Sequence, residues 1–165
     1  MKNLYAPWRK SYVTRPKGED AKSECVFCSK ISESNDKANL ILARLNNCVI
    51  MMNLYPYNAG HLLIVPHDHK ANLSDFTQEV RSELMEATSI SLEVLKLSLK
   101  AHGVNVGINF GSVSGGGLSE HLHIHAVPRW KGDTNFLAVT GETKVVSVEM
   151  NEVYEMLLSG FKKVL

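Results

Sequence analysis

Three histidines at alternate positions, in His121-Leu122-His123-Ile124-His125-Ala126-Val127, constrain this chain more than any other segment. Successive side chains of a strand point to opposite faces, so all three imidazoles would project from one side, about 6.6 Å apart along the backbone. Leu122, Ile124 and Ala126 then face the other way, where a core can cover them. The segment demands a sheet with one packed face and one reactive face. Three groups that titrate near neutrality suit nucleophilic catalysis at a phosphate, one imidazole attacking while its neighbours bind charge. A metal site competes with that reading, because alternating histidines can share one zinc. The segment has no carboxylate partner, however, and His-Glu-x-x-His is absent.

The rest of the chain supplies the other strands and helices. Leu40 to Leu45 and Cys48 to Met52 are short apolar runs split by Asn46-Asn47, which predicts a hairpin. The turn-forming stretch Tyr55 to Gly60 leads into a third strand, His61 to Pro66. From Thr77 to Ala101 the residues Val80, Leu84, Ala87, Ile90, Val94, Leu97 and Ala101 recur every three or four positions, predicting a long amphipathic helix ended by Gly103. Val104 to Asn109 and His121 to Val127 read as two more strands around the loop Phe110 to Glu120. A further strand is predicted at Thr143 to Val146, and Ser147 as the cap of a last helix with the stripe Met150, Val153, Tyr154, Leu157, Phe161 and Leu165. Hairpins around one long helix make an α+β domain with a mostly antiparallel sheet.

Composition narrows the function classes. The 165 residues suit a single domain, with 1–24 an arm, 25–130 the motif-bearing core and 131–165 an extension. Eighteen basic and seventeen acidic residues leave a net charge of +1, unlike the basic footprint of a nucleic-acid binder. No apolar run approaches the roughly 20 residues that span a membrane. The opening residues lack the apolar stretch of a secretory signal, and three cysteines are too few for a disulfide framework, so a cytoplasmic protein with reduced thiols is expected.

Two further segments carry chemistry. Asn109 to Gly117 holds four glycines, whose backbone N–H groups can converge on an anion, with Ser112 and Ser114 as added donors. The phosphate-loop pattern itself fails, because no Lys-Ser/Thr follows the glycines. Cys25-x-x-Cys28 could form half of a tetrahedral zinc site completed by two imidazoles. A redox pair is its rival, although a polar arm rather than a strand precedes it. Cys48 lies in an apolar strand and reads as a buried thiol.

The histidine string resembles the signature of the histidine triad (HIT) superfamily. Asn53, Pro56, the run Gly60 to Pro66, His69, Asn109, the glycine loop and Pro128-Arg129 follow in that family's order. The resemblance spans about residues 25–130. Leu4 to Arg9 and Pro128 to Phe136 make it similar to the bacterial branch containing diadenosine polyphosphate hydrolases and phosphorylases. It implies a five-stranded HIT-like sheet with one long helix and a C-terminal helix, and a homodimer. It also implies turnover at the α-phosphate of adenosine polyphosphates through a nucleotidyl-histidine. His123 would be the nucleophile, His125 would contact phosphate oxygens, and His61 would support that network. Asn109 and the backbone of Gly116 and Gly117 would hold the phosphates, and Asn53 the ribose. Met51 would line the base pocket, and Trp130 would stack on a base or pad the dimer. Cys25, Cys28, His69 and His121 would hold a structural zinc.

One departure stands out. Where many members carry Gln, and related phosphorylases Ser, this chain has Gly117, which leaves water and phosphate open as acceptors. Phosphoramidate substrates, a nucleotide-binding module without turnover and a zinc-stabilised interaction domain are the other readings.

Overall fold

In a computed structural model of the chain, residues 25–114, 118–133 and 149–165 are described. Five strands form one antiparallel sheet: β1 (Ile41–Arg44), β2 (Cys48–Met52), β3 (Leu62–Pro66), β4 (Gly103–Ile108) and β5 (Ile124–Arg129). Their order across the sheet is β1-β2-β3-β5-β4, so β4 and β1 are the edges. Among the described residues three α-helices accompany them: α1 (Val26–Ser32), α2 (Gln78–Leu99) and α3 (Met150–Val164). The α+β fold thus has the expected sheet and helices. The expected arm 1–24, the strand at 143–146 and the Ser147 cap lie outside the described residues.

The two faces of the sheet have different fates. Leu42, Cys48, Ile50, Met52, Leu62, Ile64, Leu122, Ile124 and Ala126 face α2 and α3 in the main core. Fully burying a Leu or Ile stabilises by roughly 1.5–3 kcal/mol, so this layer dominates the packing. Ile41, Val49, Met51, Leu63 and Val65 point the other way and, among the described residues, form a second buried cluster with Phe27 of the short α1. The seven-residue α1 packs on that face through Phe27.

Helix boundaries and stripes depart from expectation for identifiable reasons. Thr77 caps α2 by accepting from the Val80 N–H, but the helix ends at Leu99 rather than near Gly103, because Lys100 adopts a left-handed conformation (φ 54°). Gly103 instead opens β4. The buried stripe of α2 is Leu84, Ala87, Thr88, Ser91, Val94 and Leu95. Leu97 lies about 200° around the axis from Leu95 and is 56% exposed. Val153, Tyr154, Leu157 and Phe161 of α3 are buried, whereas Leu165 is exposed. The Tyr154 hydroxyl donates to the Ile41 carbonyl oxygen at 2.9 Å and ties α3 to β1.

Candidate active site and metal centre

The histidine alternation survives, but the strand does not extend as far as expected. Sheet pairing begins at Ile124, opposite Ile64, so His121 and His123 precede β5 and only His125 lies in it. The cause is local: the Leu122 N–H is committed to the Lys70 carbonyl oxygen (2.8 Å), and the His121 side chain to a cysteine cluster. The backbone stays extended, with Leu122 and Ile124 in the main core and the imidazoles on the opposite face. His123 and His125 rings meet edge to face at 4.8 Å between centroids.

Hydrogen-bond logic assigns each ring a tautomer. The His123 Nδ1 lies 2.9 Å from the His121 carbonyl oxygen, which can only accept. Nδ1 therefore carries the proton, and Nε2 presents a bare lone pair. His61 is the reverse case. Its Nδ1 is 3.2 Å from the Tyr57 backbone N–H, which can only donate, and 3.2 Å from the Asn53 amide nitrogen. Nε2 of neutral His61 must then bear hydrogen and donate to the His125 Nδ1 at 3.0 Å. His125, whose Nδ1 accepts from His61, in turn keeps its proton on Nε2; the Asn109 Nδ2, itself a donor, stands 3.5 Å from that nitrogen and makes no hydrogen bond with it in this tautomer. A bare Nε2 on His123 stands beside a protonated Nε2 on His125.

Burial keeps these rings uncharged. Desolvation first, then the His125 and His123 charges, push the His61 pKa down to about 3. Desolvation and His123 push His125 down to about 4. Both values lie below the ordinary 6.5, so the fold prefers neutral rings and the unfolded chain binds the protons. Their stabilising contribution is complete above about pH 6.5 and is lost as pH falls toward 4 and then 3. A proton NMR titration should find His61 and His125 uncharged at pH 5, and the unfolding temperature should drop between pH 6.5 and 4. Either ring charging near pH 6.5 would contradict the assignment.

A second cluster lies at the His121 end. Sγ of Cys25 and Cys28 and one ring nitrogen each of His69 and His121 lie within 4.8 Å of one another. Cys25 and Cys28 stand 3.3 and 3.5 Å from the His121 Nδ1, and Cys28 stands 3.4 Å from the His69 Nδ1. Sulfur at 2.3 Å and nitrogen at 2.0–2.1 Å from a tetrahedral zinc would be about 3.6 Å apart, so the spacing fits a shared ion. The His121 Nε2 donates to the Pro66 carbonyl oxygen at 2.9 Å, which frees Nδ1 as a ligand. Burial, reinforced by Cys25, pushes the Cys28 thiol up in the absence of a cation. Arg44 anchors the far end of α1 by donating to the carbonyl oxygens of Ile31 and Glu33, both at 2.8 Å. Phe27 packs against His121 and His123 at 5.5 and 5.1 Å between centroids, placing the cysteine–histidine cluster and the His123 ring on one hydrophobic wedge.

The remaining expected residues divide. Met51 is buried on the histidine face, in the row Met51–Leu63–His125. Asn53 uses its amide locally, its oxygen accepting from the Tyr55 N–H at 2.9 Å and its nitrogen reaching His61. The structure does not bring Trp130 to the site. Its indole N–H donates to the Leu99 carbonyl oxygen at the end of α2, on the helix side of the sheet. Gly116 and Gly117 lie outside the described residues.

The family model for the HIT domain matches residues 34–132, more than half of the chain. An AP-4-A phosphorylase of Mycobacterium tuberculosis is 37% identical over 168 residues, covering 99% of this chain and 86% of that protein. The chain belongs to the HIT domain family. A zinc-bound histidine triad family protein from Mycobacterium smegmatis shares the HIT fold with a TM-score of 0.69 at 23% identity, over 85% of this chain and 94% of that one. Diadenosine triphosphate hydrolase of Plasmodium falciparum gives a TM-score of 0.61 at 17% identity, over 75% and 77%.

Two contributors to this HIT site escaped sequence reasoning. The Tyr57 ring lies 4.7 Å from His61 and 6.0 Å from His125 between centroids, at interplanar angles of 35° and 25°. Asn58, 7% exposed, is the other. Both sit in Pro56-Tyr57-Asn58, which signalled only a turn.

Proposed function

We propose that this HIT protein is a nucleotide hydrolase or transferase acting at the α-phosphate of adenosine polyphosphates, with His123 as the transient nucleotide carrier. The complementary tautomers carry the reading: an unprotonated His123 Nε2 beside a hydrogen-bearing His125 Nε2. Attack by His123 on the α-phosphorus breaks the bond to the bridging oxygen, and the departing polyphosphate leaves with that electron pair. The His125 N–H steadies a phosphate oxygen, and His61 keeps that N–H in place. Asn109 and the Gly116–Gly117 backbone take the phosphates, each well-placed donor being worth roughly 3 kcal/mol in the transition state. Asn53 and Met51 border the nucleoside. An acceptor then attacks the nucleotidyl-histidine on phosphorus and returns His123 to its resting form, so two easier displacements replace one hard one.

Inorganic phosphate is the favoured acceptor. A relative 37% identical over nearly the whole chain is named AP-4-A phosphorylase. Incubation with diadenosine tetraphosphate, with and without phosphate, tests the reading. ATP plus ADP requiring phosphate supports a phosphorylase, ATP plus AMP without phosphate a hydrolase, and no turnover removes both.

Zinc is the metal we assign to Cys25, Cys28, His69 and His121, because two thiolates and two imidazoles suit it. When bound it would hold α1 and His121 in place. A homodimer through the β4 edge is the assembly we infer, since Val106 and neighbouring Phe110 are each 45% exposed there. A monomer mass by light scattering would remove that inference. We place the protein in the cytoplasm on its reduced cysteine pair; among the described residues no helix is long and apolar enough to cross a membrane.

A further inference from the structure

The tautomer relay begins outside the histidines, at two donors to the His61 Nδ1, the Asn53 amide and the Tyr57 backbone N–H. The Tyr57 N–H must point at the His61 Nδ1, and the Tyr57 ring, which packs on His61 and His125, does not fix the backbone turn that aims it. What holds the turn is Asn58. Its carbonyl oxygen accepts from the His61 N–H at 3.1 Å, closing the turn through Gly60, whose φ of +76° suits a residue without a Cβ. Its amide nitrogen donates to the Pro128 carbonyl oxygen at 2.8 Å and to the Asp133 carboxylate at 3.0 Å. Asp133 lies in the turn after β5, where its carboxylate accepts from Arg129 Nε and Nη2 at 2.7 and 2.9 Å and from the Trp130 N–H at 3.2 Å. The turn before β3 and the turn after β5 are thus bolted together beside the two strands that carry His61 and His125.

We propose that Asn58 and Asp133 are positioning residues: by fixing the Tyr57 N–H against the His61 Nδ1, they hold both His61 and His125 as Nε2–H tautomers. The proposal deepens the reading of His125 as a phosphate donor and rests on it for the catalytic consequence. The tautomers themselves can be read without substrate. Neither residue touches the reacting atoms. Neutral imidazoles exchange tautomers at little cost in water, so an alignment lost by one hydrogen bond would present the His125 lone pair where its N–H is needed. The groups facing His61 are His125, His123, the Asn53 amide and the Tyr57 ring, and none of them but Asn53 opposes the exchange.

Nitrogen-15 NMR of the ring nitrogens in the full-length, zinc-loaded protein tests this, alongside steady-state turnover of diadenosine tetraphosphate. Wild type should show His61 and His125 each as one Nε2–H tautomer. Asn58→Ala should mix the tautomers of both rings and lower kcat by about 10-fold or more while KM stays within about threefold, the pattern of a lost donor to the transition state. Asp133→Asn keeps an oxygen acceptor and should give a smaller shift of the same kind. Asn105→Ala removes only an Arg129 partner and should match wild type in both readouts. Mixed tautomers in wild type would overturn the proposal, as would a folded Asn58→Ala variant with unmixed rings. A fall in kcat with the tautomers intact, or failure of both Asn58→Ala and Asp133→Asn to fold, would assign the pair to stability instead and equally overturn it. Wild type with single tautomers but no turnover would refute the proposed substrate, not the positioning.

Discussion

His123→Ala is expected to lower turnover of diadenosine tetraphosphate by on the order of 10⁴-fold, the scale of losing a covalent nucleophile. The expectation follows from how specialised that ring is. His61 and His125 cannot substitute: the His61 Nδ1 is occupied by Tyr57 and Asn53, and the His125 Nδ1 by His61. Of these three rings, His123 alone has a bare nitrogen that no donor among the described residues occupies. Its ring is 8% exposed and packs on Phe27, so alanine leaves a small cavity, and the variant should remain folded with a modestly lower unfolding temperature. Mass spectrometry of wild type quenched during turnover should reveal nucleotidylated protein, absent in His123→Ala. A folded variant turning over at the wild-type rate would remove the covalent mechanism.

How much of this was legible in the sequence depends on range. Alternation and periodicity are local, so the β1–β2 hairpin, α2 and the apolar stripe of α3 could be read directly. Leu97 misled because several apolar residues compete on one helix, and only the packed sheet decides which side is buried. The strand carrying the triad begins later than the alternation predicts, because its pairing with β3 stops at Ile64–Ile124 and the Leu122 N–H bonds instead to the Lys70 carbonyl oxygen. The Trp130 N–H bonds to the Leu99 carbonyl oxygen at the end of α2, a contact across 31 positions that no local pattern announces. Cys25, Cys28, His69 and His121 came from family resemblance rather than spacing, since His67 stands as near in sequence as His69. The fold separates the two: His67 Nε2 reaches the Leu45 carbonyl oxygen, and His69 turns to Cys28. Asn58 and Asp133 had no local signature, because their meaning lies in a bond between two turns 75 residues apart.

Removing a ligand from the cysteine–histidine cluster should have the second large effect. Wild type is expected to purify with a single equivalent of zinc, and Cys28→Ser without it and with an unfolding temperature roughly 5–15 °C lower. Structural zinc contributes about 10–16 kcal/mol in peptides that fold only around it, but here the sheet and α2 stand without it, so a fraction of that is at stake. What the ion would secure is α1, which has seven residues and few other anchors besides Arg44 and Phe27. Turnover should fall as well, because the His121 carbonyl oxygen that accepts the His123 Nδ1–H hydrogen bond belongs to one of the four residues proposed to hold the ion. The decisive comparison is non-additivity. Cys25→Ser alone should resemble Cys28→Ser, and the double variant should lie close to either single one, because both thiolates act through one ion. Losses that sum across the pair, or a wild-type protein that holds no zinc after purification in its presence, would show that the cysteines pack independently. In that case His121 would be held by its bond to Pro66 alone.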